Sequence, residues 1–514
     1  MAIQLSDLID DILLIIIDYS SVSSILKLRE TCRRFCDLTQ LRSVWLKTCI
    51  KHVLDVKLPF PDGPLDSLTS AELESQTRHA LEIQQAWTSR HPGPRKTLKF
   101  QANPSNFISD VHFVPRKNNR WMVTVSKGIW SVIVCWDLGR IKDNTPHKLG
   151  EWTCRGALIL DVVVNTDPEN KGCLAVALFQ DNVYHRVEIL SVTAAFESEN
   201  HRVKFETIAI LETADNAIAL QGDIIAIGDP YHHAKIVNWK TGDAVTLRNS
   251  EVSEEDARPN RCVKILFCHE AVLVGRARSL DLFYPVRLSS PDEEPSIQRP
   301  NASHSFGWID SMAIAPLVQV DQESSYPPIS ILLRAQSDDP WTPDIHTLKR
   351  YIIEPVADPA IEELALHRSD TSPGTDVPSD MSCPYSFPPV LADEIPSSRG
   401  FLRCAELALG PCGTALWIQP RPRPATGLAA WQAEHADGHV SRECLMGTVF
   451  PGPLRPHPDD SPPLGRRSIR LWVNEYAPWT SLDYCENTGR IALGCVDGQV
   501  MVLDMCSSNI LQSK

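Results

Sequence analysis

The sequence predicts a mainly β chain behind a short helical N-terminus. Three observations carry this. In the first fifty residues, apolar positions recur three and four apart, the period of a helix. From about residue 95 the pattern changes to short alternating or apolar runs paired around tight turns, as in strand hairpins. The anchor residues Trp136, Leu190, Trp239 and Phe283 then succeed one another at 54, 49 and 44 residues, close to the roughly 40–45-residue period of a four-stranded propeller blade. The expected architecture is a three-helix unit over 1–50, a linker with one helix over 51–94, and a six- or seven-bladed β-propeller over 95–514. A pair of β-sandwiches is the alternative all-β arrangement.

At 514 residues the chain has room for roughly two to four domains with large cores. Its hydrophobic fraction of 43% and charged fraction of 22% are ordinary for a globular protein. A net charge of −14 and a pI near 5.6 weigh against nucleic acid or an anionic membrane as partner, because phosphates require basic surface. The apolar run Ile12–Ile17 is six residues long between acidic flanks, whereas a spanning helix needs about 20. Neither a basic leader nor a cleavage site surrounds it, so no membrane segment and no signal peptide is expected. Fifteen scattered cysteines without a C-x-x-C pair read as thiols of a reducing compartment, cytoplasmic and/or nuclear. Cys32 and Cys36 have metal-compatible spacing, but no histidine or second pair completes a site. Asn301-Ala302-Ser303 is a glycosylation sequon that has meaning only in a secreted chain.

At the N-terminus, Leu5, Leu8, Ile12, Ile16 and Tyr19 mark the first helix, with Asp10 and Asp11 where a helix dipole favours negative charge. Ser20-Ser21 breaks the pattern, and Ser21 is a candidate N-cap for a second helix carrying Ile25, Leu26, Leu28, Cys32, Phe35 and Leu38. A third short segment contains Leu41 to Leu46. Three short helices make a small core, and the first is apolar nearly all round. One face can pack on its sister helices; the rest needs a surface from this chain or from a partner. Residues 8–38, with Trp45 beyond them, resemble an F-box. That family's L-P-x-E-I-L, I-L-x-Y-L, D-L-L and V-C-K/R-x-W/F segments align without gaps. Ile9 stands at the usual proline, Ile15 at an often polar position, Ser20 at the usual leucine and Ser24 at the usual aspartate. The resemblance implies docking onto the Skp adaptor of a cullin-RING ubiquitin ligase. It would place Leu8, Ile9, Ile12, Leu13, Ile16, Ile25, Leu26, Leu28 and Trp45 in or behind that interface.

The linker begins with the helix-breaking PFPDGP (59–64). Residues 69–87 then read as one helix, opened by a Thr69–Glu72 capping box and stopped by Pro92 and Pro94. Leu73, Ala80, Leu81 and Trp87 could pack it between the N-terminal unit and the β-rich remainder of the chain. Strand pairs succeed it at 121–126 with 131–139, 172–179 with 185–192, 223–229 with 234–242, 270–276 with 279–285, and 490–496 with 500–506. Residues 413–420, 443–451 and 468–476 fit the strands of one further blade. The last blade lacks an outer strand; residues 95–101 could supply it and close the ring, removing both sheet edges. Trp136-Asp137 ends its strand as in a WD-repeat, and the chain resembles a degenerate propeller of that type. Prolines are concentrated after residue 285, 27 against 12 before, so insertions are expected near 286–305, 354–399 and 421–467. Residues 354–399 hold nine acidic and two basic residues, the composition of a weakly ordered acidic loop. Degenerate blades with proline-rich insertions resemble fungal proteins of this general architecture.

No phosphate-binding loop, dinucleotide fingerprint, nucleophile elbow or zinc-protease motif is present. His232-His233, His435 with His439, Asp338-Asp339 and Asp459-Asp460 read as loop residues. Arg33-Arg34 reads as a solvated charge pair, or one touching an acidic adaptor. No catalytic residue, metal or cofactor is expected. The resemblance implies a substrate-recognition subunit of an SCF-type ubiquitin ligase: the helices hold the Skp adaptor, and through it cullin and RING subunits, while the propeller holds an unknown target protein. Proximity would then do the work. A non-ligase propeller scaffold whose N-terminal helices pack internally is the second reading, and a propeller enzyme such as a hydrolase the third.

Overall fold

A strand buried on both faces reads as a continuous apolar run, and such runs form the middle of each blade. Trp121–Ser126, Ala271–Arg276 and Glu443–Val449 are buried along their whole length. In the computed structural model they belong to seven sheets arranged as a propeller, the upper of the two expected blade counts. The structure describes residues 5, 8–61, 64–116, 120–128, 130–142, 144–180, 184–195, 202–229, 233–249, 260–293, 296–318, 326–335, 345–356, 383–398, 402–421, 443–455 and 468–506. His232, Asp338, Asp339, His435, His439, Asp459, Asp460 and most of the acidic and proline-rich stretches lie outside the described residues.

Blades 1 to 7 span 110–153, 157–212, 216–248, 262–305, 309–398, 407–473 and 479–504. Within each, the chain runs antiparallel from the innermost strand outward, and successive inner strands pack side by side around the ring. The ring closes as expected. The strand Lys96–Gln101 pairs antiparallel with Gln499–Asp504, from Lys96 opposite Asp504 to Gln101 opposite Gln499, and becomes the outer strand of blade 7. Its Leu98 and Phe100 are buried, and the Phe100 ring meets Trp136 edge-on at 4.9 Å, joining blade 7 to blade 1.

The structure corrects three boundaries. The N-terminal unit has four helices: α1 (Asp10–Asp18), α2 (Val22–Arg29), α3 (Arg33–Thr39) and α4 (Arg42–Cys49). The expected second helix is split because Cys32 is extended, at φ −157°, and starts α3 afresh. The stretch near 286–305 is not a plain insertion. Ser296–Gln298 adds a fifth, parallel strand to blade 3, and Ala302–Ser305 is the outer strand of blade 4. The stretch 354–399 ends in another outer strand, Val390–Ser398, whose Pro396 is tolerated at a sheet edge and whose Asp393 holds Arg350 at 2.6 Å.

The linker helix α5 (Ser70–Thr88) has the expected capping box, with Thr69 and Glu72 each accepting from the other's backbone N–H. It has two apolar faces. Leu73 joins the core of α1–α4, while Ala80, Ile83, Ala86 and Trp87 join the core of blades 6 and 7. Because Phe100 anchors the closing strand, Phe100→Ala is expected to lower unfolding free energy by about 3 kcal/mol. Chemical denaturation measures this; a loss below about 1 kcal/mol would show that closure does not depend on that contact.

Candidate functional site

The α1 helix begins at Ile9, which is extended and offers no side-chain cap, and carries Asp10 and Asp11 in its first turn. Its apolar residues divide between two adjacent sides. Leu13 and Ile17 are buried against the other helices. Ile12 and Ile15, 41% and 54% exposed, share the other side with Tyr19, and Ile9 precedes them at 65%. The stripe that identifies the helix in the sequence is therefore largely its solvent side. Of the remaining residues singled out there, Ile25 and Trp45 are fully buried, and Leu8, Ile16, Leu26 and Leu28 are half-buried. The geometry brings Ile9, Ile12 and Ile15 together as a surface and sets Leu13, Ile25 and Trp45 behind it as its support.

That surface is held firmly. Arg34 donates from Nε and Nη2 to the Asp10 carboxylate, at 2.9 and 2.6 Å, and from Nη2 to the Leu8 carbonyl. It thus links the start of α1 to α3 on a solvated face, the Arg34 and Asp10 side chains being 40% and 59% exposed. The Lys51 ammonium lies 4.7 Å from the Tyr19 ring centre and donates to the Asp18 carbonyl. Behind α1, Arg29 makes a bidentate pair with Glu74 of α5, both bonds 2.9 Å, and also donates to the Thr39 side chain and carbonyl. Its guanidinium lies over Trp45, whose indole N–H also donates to the Thr39 carbonyl. Sequence reasoning does not find this clamp, since 45 residues separate its charged partners.

α5 carries the module to the propeller. His79 Nε2 meets the Thr488 carbonyl at 3.2 Å, Trp87 packs edge-on against Tyr484, and Ile83 lies beside Gly489. Burial, followed by the nearby Arg490 charge, pushes His79 down to about 4, so it is neutral at neutral pH. These contacts fall on turns joining first to second strands, so the helices sit over that end of the strands. The opposite end, with the segment 103–108, is left uncovered by them.

The inner strands carry acidic groups. Asp110 holds Lys127 at 3.2 Å, and the Asp483 carboxylate accepts the Phe113 N–H of the next blade. Glu406 accepts the Leu482 N–H and the Ser481 hydroxyl. Burial pushes Glu406 up to about 7, offset by the Leu482 hydrogen bond and reinforced by Asp110 and Asp483.

The other candidate residues are structural. His233 donates its N–H to Asp229. Asn301 accepts the Tyr284 N–H. All fifteen cysteines are free thiols, and burial pushes Cys173 and Cys485 each up to about 11. Among the described residues no histidine, cysteine and carboxylate cluster could hold a metal, and no helix is long and apolar enough to cross a membrane. Asp137 of the Trp-Asp pair accepts from Arg120 in two bonds and from the Gly139 N–H. Asp504 repeats the arrangement with Arg490 and the Cys506 N–H, although leucine precedes it.

No protein-family model matches the sequence, and no curated protein matches it. Among solved structures, the chain is similar to the β-propeller domain of Cps50 (Swd1) from Myceliophteria thermophila, with 10% identity over 80% of this chain and 99% of that one and a TM-score of 0.45. The seven-bladed fold stands on the strand pairing given above.

This geometry makes two predictions. Arg29→Ala removes the bidentate pair with Glu74, so the local opening free energy of α1–α4 should fall by about 2 kcal/mol while propeller amides keep their protection; hydrogen exchange reads both. Glu406 retains its proton to about pH 7 in the fold but loses it near the ordinary 4.5 when unfolded. Its contribution is thus fully present below pH 4.5 and is lost as pH rises to 7, on the order of 3 kcal/mol. Glu406→Gln should flatten the fall in stability between pH 5 and 7 relative to the wild type; identical slopes would refute that assignment.

Proposed function

We propose that this β-propeller scaffold is the substrate-recognition subunit of an SCF-type ubiquitin ligase. Its α1 face binds the Skp adaptor, and its propeller binds the target protein. The observation that carries the reading is the exposed row Ile9, Ile12 and Ile15, in the segment whose sequence resembles an F-box. Large apolar side chains grouped on a fixed helix are characteristic of a protein-binding surface. The internal-packing alternative explains Leu13, Ile17 and Trp45 but leaves this row unexplained.

The support behind the row suits the role. The Arg29–Glu74 clamp and the two-sided packing of α5 hold adaptor face and propeller in one orientation. A target on the uncovered end would be presented at a fixed distance from the ligase, whose associated enzymes transfer ubiquitin. The receptor contributes effective concentration.

The test is capture of purified Skp adaptor by the full chain. Ile12→Asp with Ile15→Asp puts two charges on positions already facing water, so the fold should persist, as checked by the thermal transition. Adaptor affinity should fall at least about a hundredfold, as expected when charges replace the centre of an apolar interface. Failure of the wild-type chain to bind the adaptor, or unchanged binding by the folded double variant, would overturn the reading.

A further inference from the structure

Two of the fifteen cysteines stand apart from the rest. Burial pushes up the thiols of the other thirteen, from Cys49 to Cys506, which keeps them protonated and slow as nucleophiles. Cys32 is exposed and Cys36 half-buried. They lie one turn apart at the start of α3, where the Cys36 N–H donates to the Cys32 carbonyl at 3.0 Å. The Cys32 side chain makes no capping hydrogen bond. The Cys36 sulfur accepts from Gln40 Nε2 at 3.4 Å, in an exposed contact.

The turn between the two thiols holds α1. Arg34 donates to the Asp10 carboxylate and the Leu8 carbonyl, and Phe35 is buried in the core that it shares with Leu13 and Ile17 of α1. A change in the shape of this turn therefore acts on the seating of α1. A disulfide across it would impose such a change. Cβ atoms one turn apart on a helix are about 5–6 Å from each other, whereas a disulfide brings them to roughly 3.5–4.5 Å. The Cα atoms of such a pair are about 6 Å apart, within disulfide reach. The bond can form, but the turn must contract by about 1–2 Å.

We propose that Cys32 and Cys36 form a redox-sensitive dithiol whose oxidation by a low-molecular-mass disulfide, R–S–S–R, loosens α1. The Cys32 thiolate attacks one sulfur of the oxidant. A Cys32–S–S–R bond forms, the R–S–S–R bond breaks, and RS⁻ leaves and takes up the proton that Cys32 released. The Cys36 thiolate then attacks the Cys32 sulfur and expels the second RS⁻, which takes up the Cys36 proton. The two thiols lose two electrons and two protons, and the oxidant becomes two R–SH. Exposure makes Cys32 the first to react and leaves Cys36 to resolve the mixed disulfide. The contracted turn strains the bridge and keeps it easily reduced, as a reversible switch requires. The inference concerns the helical module alone and is independent of the ligase reading.

The test treats the folded full chain with oxidised glutathione. Free thiols are then blocked and the chain is digested with trypsin, which cuts at Arg33 and Arg34. A disulfide should join the peptides 30–33 and 35–42. Cys36→Ser should retain glutathione on Cys32, and Cys32→Ser should take up at least about tenfold less; the thermal transition checks that both variants fold. In hydrogen exchange, α1 amides of the oxidised wild type should exchange at least about tenfold faster than those of the reduced chain, while propeller amides keep their protection. Dithiothreitol should restore the slow rate. Absence of the joined peptides, or a bridge to one of the other thirteen cysteines in their place, would overturn the pair. A Cys32–Cys36 bridge that leaves α1 exchange unchanged would overturn its action on α1.

Discussion

The pairing of Lys96–Gln101 with Gln499–Asp504 is the constraint on which the molecule depends. An open ring of seven sheets would leave an unpaired sheet edge at its seam, and this ladder closes it with residues roughly four hundred positions apart. It also constrains the segment before it. The closing strand begins only eight positions after α5 ends, so the linker helix must lie near blade 7. Ala80, Ile83, Ala86 and Trp87 turn that short tether into a packed contact with blades 6 and 7. The orientation of the α1 face is therefore a consequence of how the propeller closes, carried through α5 and the Arg29–Glu74 pair.

Inside the ring, polar groups link one blade to the next. Asp483 accepts a backbone N–H from blade 1, Glu406 accepts from blade 7, and Glu486 accepts from Cys412 and Thr414 of blade 6. Each satisfies a backbone donor that lies between sheets, where no strand ladder can reach it. Burial raises Glu406 to about 7 and moves Glu486 in the same direction, so the Glu406 contact weakens as pH rises towards 7. The arginine–aspartate pairs do related work within blades, as at Arg276–Asp281, both fully buried at 2.6 Å. Breaking such a pair leaves a buried charge, which costs more than the pair contributes.

This packing decides which parts of the fold are legible in the sequence. Middle strands are covered on both faces, so they stand out as apolar runs, and the expected 121–126 and 490–496 match Trp121–Ser126 and Arg490–Cys495 closely. Outer strands face water along one side and can hold proline, which is why Val390–Ser398 reads as part of an acidic loop. Ile329–Ala335 is a further strand whose apolar run is there to read, although no strand pair is expected at it. The helical register of α1 is legible, but a segment apolar on every side does not reveal which side is buried. The Arg29–Glu74 clamp is out of reach, because it joins stretches that no local period relates.

The α1 face stands apart from the core of the module that carries it. The row Ile9, Ile12 and Ile15 adds nothing evident to the stability of its own module, whose core is Leu13, Ile17, Ile25 and Trp45. Three large aliphatic side chains kept in water by a helix pinned at Asp10 and Asp18 are a cost in solubility, and a partner that covers them accounts for that cost. Arg490 is the reverse case: its bond to Asp504 is structural, shared in kind with the Arg120–Asp137 pair. A surface with no structural role argues for function more directly than a residue that the fold already uses. The α1 face therefore carries the principal functional proposal.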